Sequence, residues 1–400
     1  MKMSQIPSRE TKPPFRTTRA FIQKHFDEFL PIYPLFVDSG DRFGPEISNM
    51  IHQSYDGLKD GLHPPELVSA GIGGTYYLRD TSGDPVSVFK PLDEEANSAN
   101  NPKGYDFVYS TADMITAGGG AAREIAAYYL DHPIGRRRVG LTGDQVLGFS
   151  GVPPTVLAHC LHPNFTYSNG YAYAMENYKK GSLQMYMKND GHFGKKKKEE
   201  EEDDKEEEEE EEDEVPTGLS MEEVHKISVL DIRMVNLDRH GGNLLYKKKE
   251  DGTLELIPID HGYCFPKTFD DCCIFKWLKW PDARRPYSDE VIKYIESLKV
   301  VEDIAYLRKF GFTIPDKCIR VFHISTMLLK KGATKKLSPF QIGSLMCKET
   351  ENVETSSIKK IVDEAQAEAD GLPNTSEEDF LNIVYRITEA RLDEIPPPTT

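Results

Sequence analysis

Asp238 and Asn243 stand five positions apart in the run Leu237-Asp238-Arg239-His240-Gly241-Gly242-Asn243, and Asp260-His261-Gly262 follows a short hairpin-like insert. This order of oxygen-bearing side chains could carry out phosphoryl transfer. A loop aspartate, here Asp238, can orient an attacking hydroxyl and accept its proton, while an asparagine and a second aspartate can hold the magnesium ions that bridge ATP phosphates. Asn243 offers a neutral oxygen and Asp260 a charged one, the hard donors that magnesium takes. His240 could share in the proton transfer, because an imidazole titrates near neutral pH. It could equally make a structural hydrogen bond within the loop. Asp-Arg-His alone is a common surface tripeptide, so the signal lies in order and spacing taken together.

Such a centre needs a second half to hold the nucleotide. From Val68 to Lys90 the chain reads as a β-hairpin, with a strand through Tyr77 and Leu78, a turn at Ser82-Gly83-Asp84 and a return strand Val86–Phe89. Alternation on the return strand is expected to bury Val86 and Val88 and to fix the stem of Lys90, whose amine would reach nucleotide phosphates. Ahead of it, Gly71-Ile72-Gly73-Gly74-Thr75 could bring backbone N–H groups up to phosphate oxygens, with the Thr75 hydroxyl as a further donor. A plain tight turn is the other reading. The segment lacks the Gly-Lys-Ser/Thr ending of a phosphate loop set between strand and helix. Gly118-Gly119-Gly120 opens a helix over Ala121–Leu130, and Glu124 on it could pair with Lys90. Ser182–Met187 lies where two lobes must be joined. It is either a core strand or a hinge in which Gln184, Met185, Tyr186 and Met187 meet an adenine edge.

A chain of 400 residues allows two or three domain-sized units, or one two-lobed enzyme with tails. Its apolar runs fall well short of the roughly 20 residues that cross a bilayer, and Met1–Arg19 carries no apolar segment of a secretory signal. The six cysteines fit neither a zinc pattern nor a disulfide scaffold, which points to a reducing compartment. Of the formal charge of −17, a net −10 sits between residues 195 and 214, in fifteen acids and five lysines. Such a block repels itself and buries nothing, so a disordered loop is expected. It would also repel a nucleic-acid backbone.

Two strands are expected near Thr155–Cys160 and Ser182–Met187. Helices are expected at Met221–Ile232, Ser288–Leu298, Ile304–Phe310, Asp316–Lys330, Pro339–Lys348, Ile358–Ala369 and Glu377–Arg391, with one more near the start on Ile22, Phe26, Phe29 and Leu30. A β-rich first half and a helical second half make an α+β, two-lobed kinase-like fold with the ATP cleft between the lobes. The expected order is an extension (1–65), an N-lobe ending in the hinge strand (66–187), the acidic insert (188–219), a C-lobe (220–350), and C-terminal helices with a tail (351–400).

The chain resembles the phosphatidylinositol 3-/4-kinase superfamily, and within it the gamma-type phosphatidylinositol 4-kinases of plants and related eukaryotes. The resemblance is carried by Val88-Phe89-Lys90-Pro91, Asn101-Pro102-Lys103-Gly104, Gly120-Ala121-Ala122-Arg123-Glu124, Gly181-Ser182-Leu183-Gln184, Glu223–Asp231, Asp238-Arg239-His240, Asp260-His261-Gly262-Tyr263-Cys264, Trp280-Pro281 and Ser325–Ala333. It implies transfer of the ATP γ-phosphate to the 4-hydroxyl of phosphatidylinositol. It also implies that Asp-Arg-His marks the catalytic loop, that Asp260-His261-Gly262 stands where protein kinases have Asp-Phe-Gly, and that Gln184–Met187 is the adenine hinge. Some gamma-type relatives are described as phosphorylating protein Ser/Thr residues, so a protein kinase on the same fold is the alternative. No ubiquitin-like domain is read before residue 66, and no palmitoylated cysteine cluster is seen beyond Cys272-Cys273, which also reads as a pair of buried thiols.

The implied substrate lies in a bilayer, so the protein is expected in the cytoplasm, peripherally associated with membranes. Lys267, Lys276, Lys279, Arg284 and Arg285 interleave with Phe275, Trp277 and Trp280. This stripe could meet an anionic leaflet, or its aromatics could face the core.

Overall fold

The computed structural model of the chain describes residues 32–34, 43–96, 98–104, 119–135, 138, 147–171, 177–194, 217–270, 273–348 and 355–398. The helix expected around Ile22–Leu30 and the acidic block from Lys195 to Glu214 lie outside them.

The first lobe is built on a six-stranded sheet. Its strands are β1 (Ile32–Pro34), β2 (Glu66–Leu67), β3 (Tyr76–Arg79), β4 (Pro85–Pro91), β5 (Thr155–Cys160) and β6 (Lys179–Met185), in the order β1-β5-β6-β4-β3-β2 with antiparallel neighbours. The β3–β4 turn is fixed by the Asp80 carboxylate, which accepts from Ser82 N at 2.9 Å and Asp84 N at 3.0 Å, and by Gly83 at φ 92°. On β4 the buried face is Ser87, Phe89 and Pro91. Val86 and Val88, expected to be buried, are only half-buried and share the other face with Lys90. The reason is that a strand's alternate side chains face opposite ways, and Phe89 is the one taken into the core.

Two helices pack with this sheet. Helix α1 (Pro45–Asp60) buries Ile47, Met50, Ile51 and Leu58 at helical spacing and ends on Gly61 at φ 68°. It seats so closely that a Cβ on Gly57 would come 1.8 Å from the Arg79 carbonyl oxygen. The expected extension 1–65 is therefore corrected: strand β1 and helix α1 belong to the first lobe. Helix α2 (Gly120–Leu130) carries Glu124.

In the second lobe α3 (Met221–Met234) leads toward Asp238. Strands β7 (Gly191–His192), β8 (Leu244–Lys248) and β9 (Leu254–Pro258) form a small sheet, so the start of the expected insert is ordered structure paired with β8. Helices α4 (Asp289–Ser297), α5 (Val300–Lys309), α6 (Asp316–Thr334), α7 (Pro339–Ser344), α8 (Ser357–Asp370) and α9 (Glu377–Asp393) follow. Ser288, Ser338, Ser356 and Ser376 cap α4, α7, α8 and α9 by accepting from the third helical N–H. Ile358, Ile361, Phe380 and Val384 of α8 and α9 share one core with α3 and α6, so the C-terminal helices are part of this lobe rather than an appendage.

The apolar core under the sheet does not stop at the lobe boundary. Tyr129 and Leu130 at the end of α2 cluster with Leu230 and Met234 of α3, Ile304 and Leu307 of α5, and Phe322 of α6. Arg233 of α3 donates to the Leu130 carbonyl at 3.0 Å and pairs with the buried Asp303, which also sits 2.8 Å from His132 Nε2. The helix bearing Glu124 is thus fastened at its C-terminal end to the helix that leads into the Asp238 loop.

Candidate active site

Lys90 projects from β4 on the face opposite Phe89 and donates to Glu124 Oε1. Its amine also lies 3.3 Å from Asp260 Oδ1. Burial alone would lower the lysine pKa, but the two carboxylates outweigh it and raise the value. Burial would likewise raise Glu124, and the charges of Lys90 and His261 hold it well below the usual carboxylate range. The second Glu124 oxygen stands 3.3 Å from His261 Nδ1, and that imidazole is fully buried. The expected Glu124–Lys90 pair is present, and His261, the residue after Asp260, grips the same carboxylate, a contact with no sign in the local sequence.

Asp260 itself has φ 56°, in the left-handed region that a non-glycine residue rarely enters, and its side chain is 45% exposed. Asp238 is less accessible. Burial raises its pKa, the Asp260 charge adds to the rise, and His240, Arg239 and a hydrogen bond from Asn243 work against it. Asn243 Nδ2 donates to the Asp238 carbonyl at 2.9 Å, which leaves the amide oxygen as the group available to a cation. His240 accepts from Gly242 N at 3.0 Å through Nδ1, and its Nε2 is 3.7 Å from Asp238 Oδ2, an ion-pair distance too long for a hydrogen bond.

Behind these loops lies a hub. Asp231, the eleventh residue of α3, accepts from Arg239 Nε at 3.0 and 3.1 Å, Trp277 Nε1 at 3.0 Å and Asn236 Nδ2 at 3.1 Å. Arg239 then donates to the carbonyls of Asn243 at 2.5 Å and Ile259 at 2.7 Å, and Asp238 N donates to Asn236 Oδ1 at 2.9 Å. One buried carboxylate therefore sets the backbone on both sides of Asp238 and beside Asp260. Asp231 and Arg239 share their stretch with Arg233, Asn236 and Asp238, so sequence alone does not single out the pair.

The glycine segment and the hinge differ in detail from expectation. Gly74 N donates to the Glu94 carbonyl at 2.7 Å, and a Cβ at Gly74 would meet the Glu94 side chain, so this glycine serves close packing rather than an open N–H. The Thr75 carbonyl accepts from Val68 N at 2.8 Å. At the hinge, the Gln184 side chain is buried beside Val88, its cross-strand partner, and donates to Thr155 Oγ1 at 3.1 Å, which engages its amide within the sheet. The Met185 and Tyr186 N–H groups go to the carbonyls of Pro154 and Val86. Met187 N–H lies past the last ladder bond and makes no hydrogen bond among the described residues. In the basic and aromatic stripe, Phe275, Trp277 and Trp280 are buried in the second core, Lys279, Arg284 and Arg285 are exposed, and Lys267 and Lys276 are half-buried. Cys273 is buried, and Cys272 lies outside the described residues.

Among the described residues no three His, Cys, Asp or Glu side chains converge into a metal cage. Magnesium held largely by substrate phosphates needs only one or two protein oxygens. The exposed Asp260 carboxylate and the free Asn243 amide oxygen fit that demand.

Residues 71–342 match the family model described as phosphatidylinositol 3- and 4-kinase. The chain is 45% identical over 358 residues to phosphatidylinositol 4-kinase gamma 2 of Arabidopsis thaliana, covering 88% of this chain and 60% of the relative. It is 40% identical over 369 residues to phosphatidylinositol 4-kinase gamma 4 of Oryza sativa subsp. japonica, covering 91% of this chain and 59% of that relative. The chain thus spans about 60% of the length of these relatives. The matched stretch takes in the glycine segment, Lys90, helix α2 and both acidic loops, and with it the chain belongs to the phosphatidylinositol 3- and 4-kinase family.

Proposed function

We propose that this chain is a phosphatidylinositol 4-kinase, moving the γ-phosphoryl group of ATP to the inositol 4-hydroxyl of phosphatidylinositol in a membrane surface. The observation that carries the reading is the convergence of Lys90, Glu124, Asp260, Asp238 and Asn243 from four separate segments onto one cleft. The relatives named phosphatidylinositol 4-kinase add the acceptor.

Lys90, held by Glu124, would pair with the α- and β-phosphates, exchanging its contact with Asp260 for the nucleotide. Val86 and Val88 share the Lys90 face and would line the adenine site, with Met187 N–H as hinge donor. Asn243 and Asp260 would hold magnesium, which when bound neutralises charge on the phosphate oxygens. The acceptor hydroxyl attacks the γ-phosphorus, its proton passes to Asp238, and the bond to the β,γ-bridging oxygen breaks with the electron pair leaving on ADP. Asp238 acts while deprotonated, and its raised pKa brings this half-buried carboxylate closer to the working pH of a base. His240, beside Asp238 and half-exposed, would stabilise that carboxylate.

No helix among the described residues is long and apolar enough to cross a membrane. The outward charges of Lys267, Lys276, Lys279 and Arg285 are the groups we assign to contact with an anionic leaflet, each contributing up to about 1 kcal/mol. The test offers the purified chain radiolabelled ATP with phosphatidylinositol micelles and with generic proteins in parallel. Label in the lipid alone supports the reading, and label in protein alone replaces it with a protein kinase.

A further inference from the structure

The run Asn101-Pro102-Lys103-Gly104 has no part in the chemistry above, yet it is tied to the glycine segment at every turn. Asn101 Nδ2 donates to the Ile72 carbonyl at 2.9 Å and to the Glu95 carbonyl at 3.1 Å. Lys103 Nζ donates to the Ala70 carbonyl at 2.5 Å and the Gly71 carbonyl at 2.9 Å. The two residues are fixed to each other, since Lys103 N donates to Asn101 Oδ1 at 2.8 Å.

Three successive carbonyls, of Ala70, Gly71 and Ile72, are therefore turned onto one strap. In a planar trans peptide the C=O and the following N–H point opposite ways. The N–H groups of Gly71, Ile72 and Gly73 must then point away from the strap together. None of them makes a hydrogen bond among the described residues. Gly71 permits the arrangement by taking φ 76°. Successive N–H groups facing one way form a concavity suited to an anion.

The strap also reaches the helix of Glu124. The Glu95 carboxylate accepts from Gly120 N at 3.1 Å and Ala121 N at 2.9 Å, the first N–H groups of α2, while the Glu95 carbonyl is one of the two held by Asn101.

We propose that Asn101 and Lys103 are positioning residues for the nucleotide phosphates: they pull three carbonyls to one side so that the N–H groups of Gly71, Ile72 and Gly73 are presented to the phosphates. This rests on the kinase reading and deepens it. The donors to phosphate are then the amides ahead of Gly74, not those of Gly74 and Thr75. Both residues are partly exposed, so their substitution is compatible with folding.

The experiment uses Asn101→Ala, Lys103→Met and Lys103→Arg in the full chain, with two readouts. Hydrogen exchange of amides 70–75 without nucleotide reads the strap itself; faster exchange is expected in Asn101→Ala and Lys103→Met and not in Lys103→Arg. Affinities for ATP and adenosine, measured side by side, read its purpose. Losing one or two hydrogen bonds that orient the amides should weaken ATP about three- to tenfold and leave adenosine nearly unchanged. The KM for phosphatidylinositol should stay put. Unchanged exchange, or equal losses for ATP and adenosine, overturns the proposal. If the unsubstituted chain binds no ATP, the kinase reading fails instead, while the exchange result still decides the strap.

Discussion

Arg239 Nε donates to Asp231 Oδ1 at 3.0 Å, and neither side chain has any solvent exposure. This pair fastens the catalytic loop from behind, because the same guanidinium also holds the carbonyls of Asn243 and Ile259. Removing one member of a buried pair strands the other charge. Asp231→Ala should cost about 3–5 kcal/mol of stability, seen in denaturant unfolding, together with loss of turnover. A variant as stable as the parent would show that Asp231 is not the hub.

Lys90 and Glu124 form a second, partly buried pair with a different outcome. Lys90→Met should abolish turnover, and Glu124→Gln should reduce it less, since Lys90 keeps Asp260 nearby. Lys90→Met should also destabilise by about 2–3 kcal/mol, less than a fully buried pair because the lysine is partly exposed. The double variant Lys90→Met with Glu124→Leu should regain stability without regaining activity. Steady-state kinetics and urea unfolding on the same three proteins check this. Full activity in Lys90→Met would remove Lys90 from the phosphate site.

Asp238 allows a sign to be worked out. Its folded pKa lies above the unfolded value because of burial and the Asp260 charge. Any stability from the protonated form is present below the unfolded pKa and is lost as pH rises through the folded one. Asp238→Asn imitates that protonated form, so it should be at least as stable as the parent at neutral pH while losing turnover. His240 lowers the Asp238 pKa. His240→Ala should therefore shift the acid limb of kcat/KM to higher pH. A shift to lower pH would contradict the electrostatics.

Much of this was legible in the chain because local chemistry and fold agree there. The hairpin of Tyr77 and Lys90 has its turn written in Ser82-Gly83-Asp84, and four of the later helices begin at serines that cap them. Helix α1 was missed because proline and polar residues blur its apolar positions, and its burial comes from distant contacts such as Ser54 Oγ at 2.7 Å from Ser87 Oγ. Val86 and Val88 were misjudged because alternation gives two faces without saying which one meets the core. The roles of Asp231 and His261 depend on partners 8 and 137 positions away in the chain, Arg239 and Glu124, and nothing local points to the second.

Phe193 N donates to the Gly241 carbonyl at 3.0 Å, beside Asp238, and the acidic block follows from Lys195 in the sequence. Its net −10 should oppose approach of ATP and of anionic membranes. Replacing Lys195–Glu214 by a neutral linker should leave the unfolding midpoint unchanged and raise activity on anionic vesicles at low salt. The gain should shrink as the Debye length falls toward about 8 Å at physiological salt. A gain independent of salt, or none, would make the block a spacer.

The proposed reaction is phosphoryl transfer from ATP to the inositol 4-hydroxyl through Asp238 and Asp260. The most direct measurement gives the full chain and its Asp238→Asn and Asp260→Ala variants radiolabelled ATP, magnesium and phosphatidylinositol vesicles, and identifies the position of label in the lipid product. Phosphatidylinositol 4-phosphate is expected from the parent and none from either variant, with ATP binding kept in Asp238→Asn and weakened in Asp260→Ala. Label at another ring position, or near-parental turnover by Asp238→Asn, would contradict it.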